Sequence, residues 1–261
     1  MDIGMPTLIE YDGLKSNVDA CRSLGLKFIE LNMNLPEYQT DALQKIDLSS
    51  VADSNGIYFT LHLDENLNVA DFNSAVAQAY TDTVKRSIDI ALRNGMPVLN
   101  MHLARGVYFT LPHAKVYLFE KYSQMYARSY LKFRDVCESM IGDADLKICI
   151  ENTAGWAEHE KRVLDCLLES DVFALTFDIG HSHCIGDCDE PYILSHANKL
   201  FHFHIHDAQN KSAHLPLGDG DVDLTARLAL ARAHGCRCVA ETKTSAGLSQ
   251  SVLWLKAREI L

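Results

Sequence analysis

LFHFHIH, residues 200–206, alternates apolar side chains with imidazoles. On an extended strand successive side chains point to opposite faces, so Phe201, Phe203 and Ile205 share one face and His202, His204 and His206 the other. The apolar face belongs against helices, which leaves the histidines pointing into the interior of a closed sheet. Working outward, seven further runs read as strands: IGMPTL (3–8), KFIELNM (27–33), YFTLHL (58–63), VLNMHL (98–103), LKICIEN (146–152), FALTFDI (173–179) and CRCVAET (236–242). Helical spacing fills the intervals at 13–24, 69–94, 114–140, 158–169, 189–198, 223–234 and 247–260, with a shorter stretch at 40–47. Strict alternation implies a parallel sheet, and a count of eight implies closure. The expected fold is α/β, a (β/α)8 TIM barrel, with residues 1–261 as a single domain.

Composition agrees. The 261 residues are 48% hydrophobic and 23% charged, the range of an ordinary globular chain and not of a disordered one. No run of apolar residues is long enough to span a membrane. The opening MDIGMPTLIEYDG lacks the basic and apolar regions of a signal peptide. The net charge of −11, without a Lys- or Arg-rich run, disfavours nucleic acid as a partner. Eight scattered cysteines with no C-x-x-C pair read as reduced thiols of a cytoplasmic protein. Cys184 and Cys188, close to a histidine cluster, read as loop thiols before metal contacts. Association into a homo-oligomer is compatible with all of this.

The inward faces carry the chemistry. The same sorting turns Leu99, Met101 and Leu103 outward and leaves His102 inside, and likewise leaves His62, Glu151 and Asp178 inside. Six consecutive strands thus end in a ligand-type residue: His62, His102, Glu151, Asp178, His204 and Glu241. Three converging carboxylates without a cation would suffer repulsion and desolvation. A divalent metal relieves both, and a mixed His/Asp/Glu set suits Mn, Co, Zn or Fe(II). Two long connections, 104–113 and 208–222, follow strand ends on the face where barrel active sites are built. Tyr108 and Phe109 in the first suit either the face of a ring or loop packing. Asp223 reads as a helix N-cap.

Five segments together resemble the xylose-isomerase-like barrels, a superfamily of sugar isomerases and epimerases that also includes endonuclease IV. They are NMHLARG (100–106), IENTAGW (150–156), FDIGHSH (177–183), HIHDAQNKSAHLPLGDGDVD (204–223) and AETKT (240–244). The resemblance implies that Glu151, Asp178, His204 and Glu241 hold a catalytic Mn, Co or Zn. It also implies that Glu151 and Glu241 exchange protons with a metal-chelated, open-chain sugar from opposite faces. His181 matches a substrate-contacting histidine of the epimerase branch. In endonuclease IV the positions of His62, His102, His181 and His214 are further metal ligands, and a ninth ligand, an aspartate, is replaced here by Ser212.

Two chemistries follow from these residues. Proton transfer beside a carbonyl would use the glutamate pair, with His102, His181, Arg105 and Lys243 on substrate hydroxyls. Phosphodiester hydrolysis, as in an abasic-site endonuclease, would use two or three metals held by His62, His102, His181 and His214 as well. The second lacks its grip: the loop NMNLPEYQTD (32–41) carries two acids and no base. A sugar or sugar-derived isomerase or epimerase is therefore expected. A metal-dependent lyase or dehydratase acting on a sugar or polyol is a third class.

Overall fold

The computed structural model describes residues 1–261. Eight parallel strands close in chain order: β1 (Asp2–Pro6), β2 (Phe28–Asn32), β3 (Tyr58–His62), β4 (Val98–His102), β5 (Lys147–Glu151), β6 (Phe173–Asp178), β7 (Leu200–Ile205) and β8 (Arg237–Ala240). Strand β8 pairs back onto β1, with Ile3 opposite Cys238. All eight expected strands are present and the fold is the (β/α)8 barrel.

Alternation explains the layers. Ile29, Leu31, Leu61, Leu99, Ile148, Ile150, Leu175, Phe177, Phe203 and Ile205 point outward and are buried beneath the helices. Each such burial contributes ~1.5–3 kcal/mol. The helices stop where the sequence says they should. Gly25 takes φ +81° and its N–H reaches back to the carbonyls of Arg22 and Cys21. Asp223 caps the helix Leu224–Ala233 by accepting from the Ala226 N–H at 3.0 Å.

Inside, the N-terminal end of the barrel is plugged by rings. Phe28 stacks on Tyr58 with centroids 5.0 Å apart, and the Arg237 guanidinium lies 4.7 Å from the Phe201 ring. Gly4 makes room for the plug, because a Cβ there would lie 2.6 Å from the Phe28 ring.

Four expectations change. The helix expected at 114–140 begins at Leu118. The residues before it form an antiparallel hairpin, Tyr108–Leu111 with Ala114–Tyr117, whose aromatic and β-branched side chains favour a strand. A second hairpin, Asp207–Gln209 with Ser212–Leu215, occupies part of the long connection after β7. The stretch 40–47 shortens to Thr40–Leu43, and a helix over Leu48–Asn55 follows, capped by Asp47. Finally, Phe201 does not share the outer face. Leu175 sits opposite Leu200 while Thr176 sits opposite His202, so Phe201 is the extra residue of a bulge. It packs instead against the inner cluster of Val98, Cys149 and Ala174.

No helix is long and apolar enough to cross a membrane, and all eight cysteines are unpaired. Gly4→Ala is expected to cost ~1–3 kcal/mol through overpacking against Phe28. A lower urea midpoint with an unchanged slope checks it.

Candidate functional site

The C-terminal ends of the strands bring the ligand-type residues together. One donor atom from each of Glu151, Asp178, His204 and Glu241 lies within 4.8 Å of every other. At the centre is His204 Nδ1, 3.3 Å from Glu151 Oε1, 3.8 Å from Asp178 Oδ2 and 3.2 Å from Glu241 Oε2. Its other nitrogen, Nε2, donates to Glu30 Oε1 at 2.8 Å. That bond orients the ring and turns Nδ1 toward the three carboxylates, where it carries a proton until a cation takes the proton's place.

Asp178 and Glu151 are held from behind. Asn152 clasps the Asp178 backbone, accepting from its N–H at 2.8 Å and donating to its carbonyl at 2.9 Å. The Asp178 carboxylate accepts from the His181 N–H at 2.7 Å and so caps the short helix Ile179–Cys184. The Asn100 amide donates to Glu151 Oε2 and is itself held by Thr176.

A second group surrounds the other face of Glu151. His62 Nε2 and His102 Nε2 lie 3.3 and 3.2 Å from Glu151 Oε2. His62 Nδ1 donates to the Leu63 carbonyl at 2.8 Å, which turns its second nitrogen toward Glu151. A third group joins His181, His206 and His214. His181 Nε2 and His214 Nε2 face each other at 3.3 Å. His206 accepts from the His214 backbone N–H at 2.9 Å and donates to Asp178 at 3.1 Å, so both of its ring nitrogens are engaged. Ser212, at the ninth position of the nuclease cluster, is exposed at the edge of the second hairpin.

The electrostatics report an excess of negative charge. Burial would raise the Glu151 and Glu241 carboxyls, but His204 above all holds both well below the usual range. Burial opposes charging of His204, yet the Glu151, Glu30 and Glu241 carboxylates push it well above its ordinary value. His62 is likewise disfavoured by burial and raised to about 9 by Glu151. Burial, only partly offset by Glu241, pulls His214 down to about 4.

These donors fit a divalent cation. His204 Nδ1 and Glu241 Oε2 are buried, make no hydrogen bond, and face the space between Glu151 and Asp178. A dication bound there would replace the protons now shared among the imidazoles.

With this geometry in place, comparison with known proteins becomes informative. Residues 18–258 match the model of the xylose isomerase-like TIM barrel family. The chain belongs to that family. Sequence comparison with curated proteins finds no match. Among solved structures, a D-tagatose 3-epimerase-like protein superposes with a TM-score of 0.78 at 19% identity, covering 100% of this chain and 98% of its own. The IolI protein with a bound zinc atom gives 0.75 at 17% identity, covering 100% and 98%. A 3-keto-D-glucoside 4-epimerase from E. coli gives 0.74 at 14%, covering 98% and 99%.

The mouth forms an open cavity of about 500 Å³ lined by His62, His102, Glu151, His181, His214 and Glu241, with Arg105 and Lys243 at its rim. A larger groove of about 650 Å³ lies on the outer wall, around Trp254 and Leu228, away from all of this chemistry. The Arg105 guanidinium is committed to protein: its Nη2 donates to the carbonyls of Ala154 and Gly155, both at 2.6 Å. Lys243 is 63% exposed, with Nζ 3.2 Å from Glu241 Oε1. Tyr108 and Phe109 stand exposed on their hairpin, and Trp156 packs edge-on against Tyr192. Cys184 and Cys188 join none of the ligand groups.

Two acids central to the arrangement were not expected. Glu30 is buried and binds both His202 and His204. The alternation of KFIELNM, which puts Phe28, Glu30 and Asn32 on one face, would have found it. Asp207 is buried and accepts from the backbone N–H groups of Ala208, Gly218 and Val222, shaping the loop that carries His214.

Adding Mn, Co or Zn to chelator-treated protein is expected to raise its melting temperature, by the equivalent of about 2.7 kcal/mol at a hundredfold excess over Kd. EDTA should reverse the rise. No shift with any of the three ions would remove the metal assignment.

Proposed function

We propose that this protein is a divalent-metal-dependent epimerase or isomerase acting on a sugar or sugar derivative. The observation that carries the reading is the convergence of Glu151 and Glu241 on His204, at 3.3 and 3.2 Å from one nitrogen, on the wall of an open polar cavity. The family, and the sugar epimerases among the similar structures, support it.

Glu151, Asp178, His204 and Glu241 would hold the ion, which supplies Lewis-acid polarisation of a carbonyl and its neighbouring oxygen. The two glutamates do the proton work. One carboxylate takes the proton from the carbon beside the carbonyl, and the C–H electron pair moves toward the carbonyl oxygen. Delivery of a proton by the other carboxylate, from the opposite face, inverts that carbon. Delivery to the former carbonyl carbon, with the neighbouring hydroxyl passing its proton to the former carbonyl oxygen, isomerises the sugar. Asn100 steadies Glu151 and Lys243 steadies Glu241, so neither carboxylate must reorganise as the proton moves. His102 and His181, on the cavity wall, are placed to hydrogen-bond substrate hydroxyls.

One observation favours phosphodiester hydrolysis instead. His62, His102 and Glu151 form a second ligand group beside the first. Against it, the cations of the rim are Arg105, tied to two carbonyls, and Lys243, paired with Glu241, which leaves no cradle for a phosphate backbone.

The test is deuterium incorporation. A panel of ketoses and aldoses incubated with the metal-loaded protein in D2O should gain deuterium beside the carbonyl, read by NMR. Glu151→Gln should abolish the exchange while the fold persists; near-wild-type exchange in that variant would sink the assigned role. Glu30→Gln removes the charge that orients His204 and should weaken metal binding about 10–100-fold. Competition against a fluorescent chelator measures this without any substrate, and an unchanged affinity would rule the orienting role out.

A further inference from the structure

The cavity over the metal-ligand groups has a neighbour. A second hollow of about 210 Å³ lies over the end of β1, lined by Thr7, Leu8, Ile9, Asn32, Leu35 and Thr242, and it shares Glu241 and Lys243 with the first. Its volume is that of about seven waters. The two hollows are therefore lobes of one mouth, with Glu241 standing at the junction.

The smaller lobe is built and not merely left over. Asn34, on its wall, is locked to the rim of the main cavity: its Nδ2 donates to Glu65 Oε1 at 2.9 Å and its Oδ1 accepts from the Glu65 N–H at 3.1 Å. Beyond the lobe, the segment after β1 is tied across to the start of the helix Ser245–Lys256, where Glu10 accepts from the Ser245 N–H. Within it, Asn32 Oδ1 is occupied by the Asn34 N–H, while the Asn32 Nδ2 donor has no protein partner. The Thr7 hydroxyl accepts from the Asn32 N–H, which leaves its own proton free to donate. Beside these two donors stands Ile9, 80% exposed. The lobe's charges, Glu241 and Lys243, neutralise each other at 3.2 Å.

Free amide and hydroxyl donors next to an apolar wall, with no net charge, match a polyhydroxylated ring that carries no phosphate. We propose that the smaller lobe binds a second, neutral sugar ring, so that the substrate is a glycosyl-substituted sugar of disaccharide size, its open-chain carbonyl end in the main cavity. This deepens the epimerase reading and rests on it. Ile9 is then a specificity-determining residue: its exposed side chain is what the distal ring packs on.

The experiment compares deuterium incorporation into fructose with that into two glycosyl-fructoses, isomaltulose and lactulose, using the metal-loaded protein. At least one disaccharide should show a kcat/KM about tenfold or more above fructose. Ile9→Trp, which fills the lobe from an exposed position, should erase that advantage and leave fructose unchanged, whereas Ile9→Ala, which keeps the lobe open, should retain most of it. Equal exchange of free and glycosylated sugars, or an advantage that survives Ile9→Trp, overturns the lobe assignment and leaves the epimerase reading standing. Exchange of neither class, with the metal still raising the melting temperature, overturns both.

Discussion

One imidazole sits among four carboxylates, and the mouth of the barrel is organised around that crowding. His204 is within 3.8 Å of oxygens from Glu30, Glu151, Asp178 and Glu241, all of them drawn from different strands or strand ends. Buried like charges at such spacing are tolerated only where something positive lies between them and where the backbone cannot relax away. A closed barrel supplies the second condition, since each strand is bonded on both sides and has no free edge. The hydrogen bonds that Asn100 and His206 make to Glu151 and Asp178 extend that rigidity to the side chains, and Asn152 holds the Asp178 backbone. The first condition is met by protonated histidines or by a metal ion, so charge balance and cation binding are the same requirement met in two ways.

The same arithmetic explains why the plug of rings at the opposite end matters. Phe28, Tyr58 and Phe201 fill the N-terminal half of the barrel with apolar volume, which keeps water from reaching Glu30 from below. Glu30 is then solvated only by His202, His204 and Thr60. Removing one member of such a buried set leaves an uncompensated charge, at about 3–5 kcal/mol. Stability and ligand geometry are coupled through this one side chain.

Much of this was legible in the residues. Alternation in LFHFHIH and its seven counterparts located every barrel strand, because a half-polar interior stamps a two-residue period on the sequence. The same period placed His62, His102, Glu151, Asp178 and His204 at one end, and the structure brings them there. What escaped had local causes. The bulge that turns Phe201 inward depends on the pairing of β6 with β7, which no single run encodes. The Tyr108–Tyr117 hairpin lies beside a helical period that begins only at Leu118, and the two patterns merge when read in sequence. Arg105 looked like a ligand for substrate because its partners, two backbone carbonyls of the next connection, have no signature in the chain. Glu30 was visible in the alternation of its strand, yet its significance needs His204 across the barrel.

The loop after β7 is organised by a buried acid in the same way that the mouth is. Asp207 gathers the N–H groups of residues 208, 218 and 222, and the chain between leaves and returns through the small hairpin that carries His214. The hairpin tip, Asn210 and Lys211, lies outside that clasp. Lineages descended from this chain can therefore lengthen or rewrite the tip while His214 keeps its place. Innovation is confined to the part of the loop whose change leaves the inherited chemistry intact.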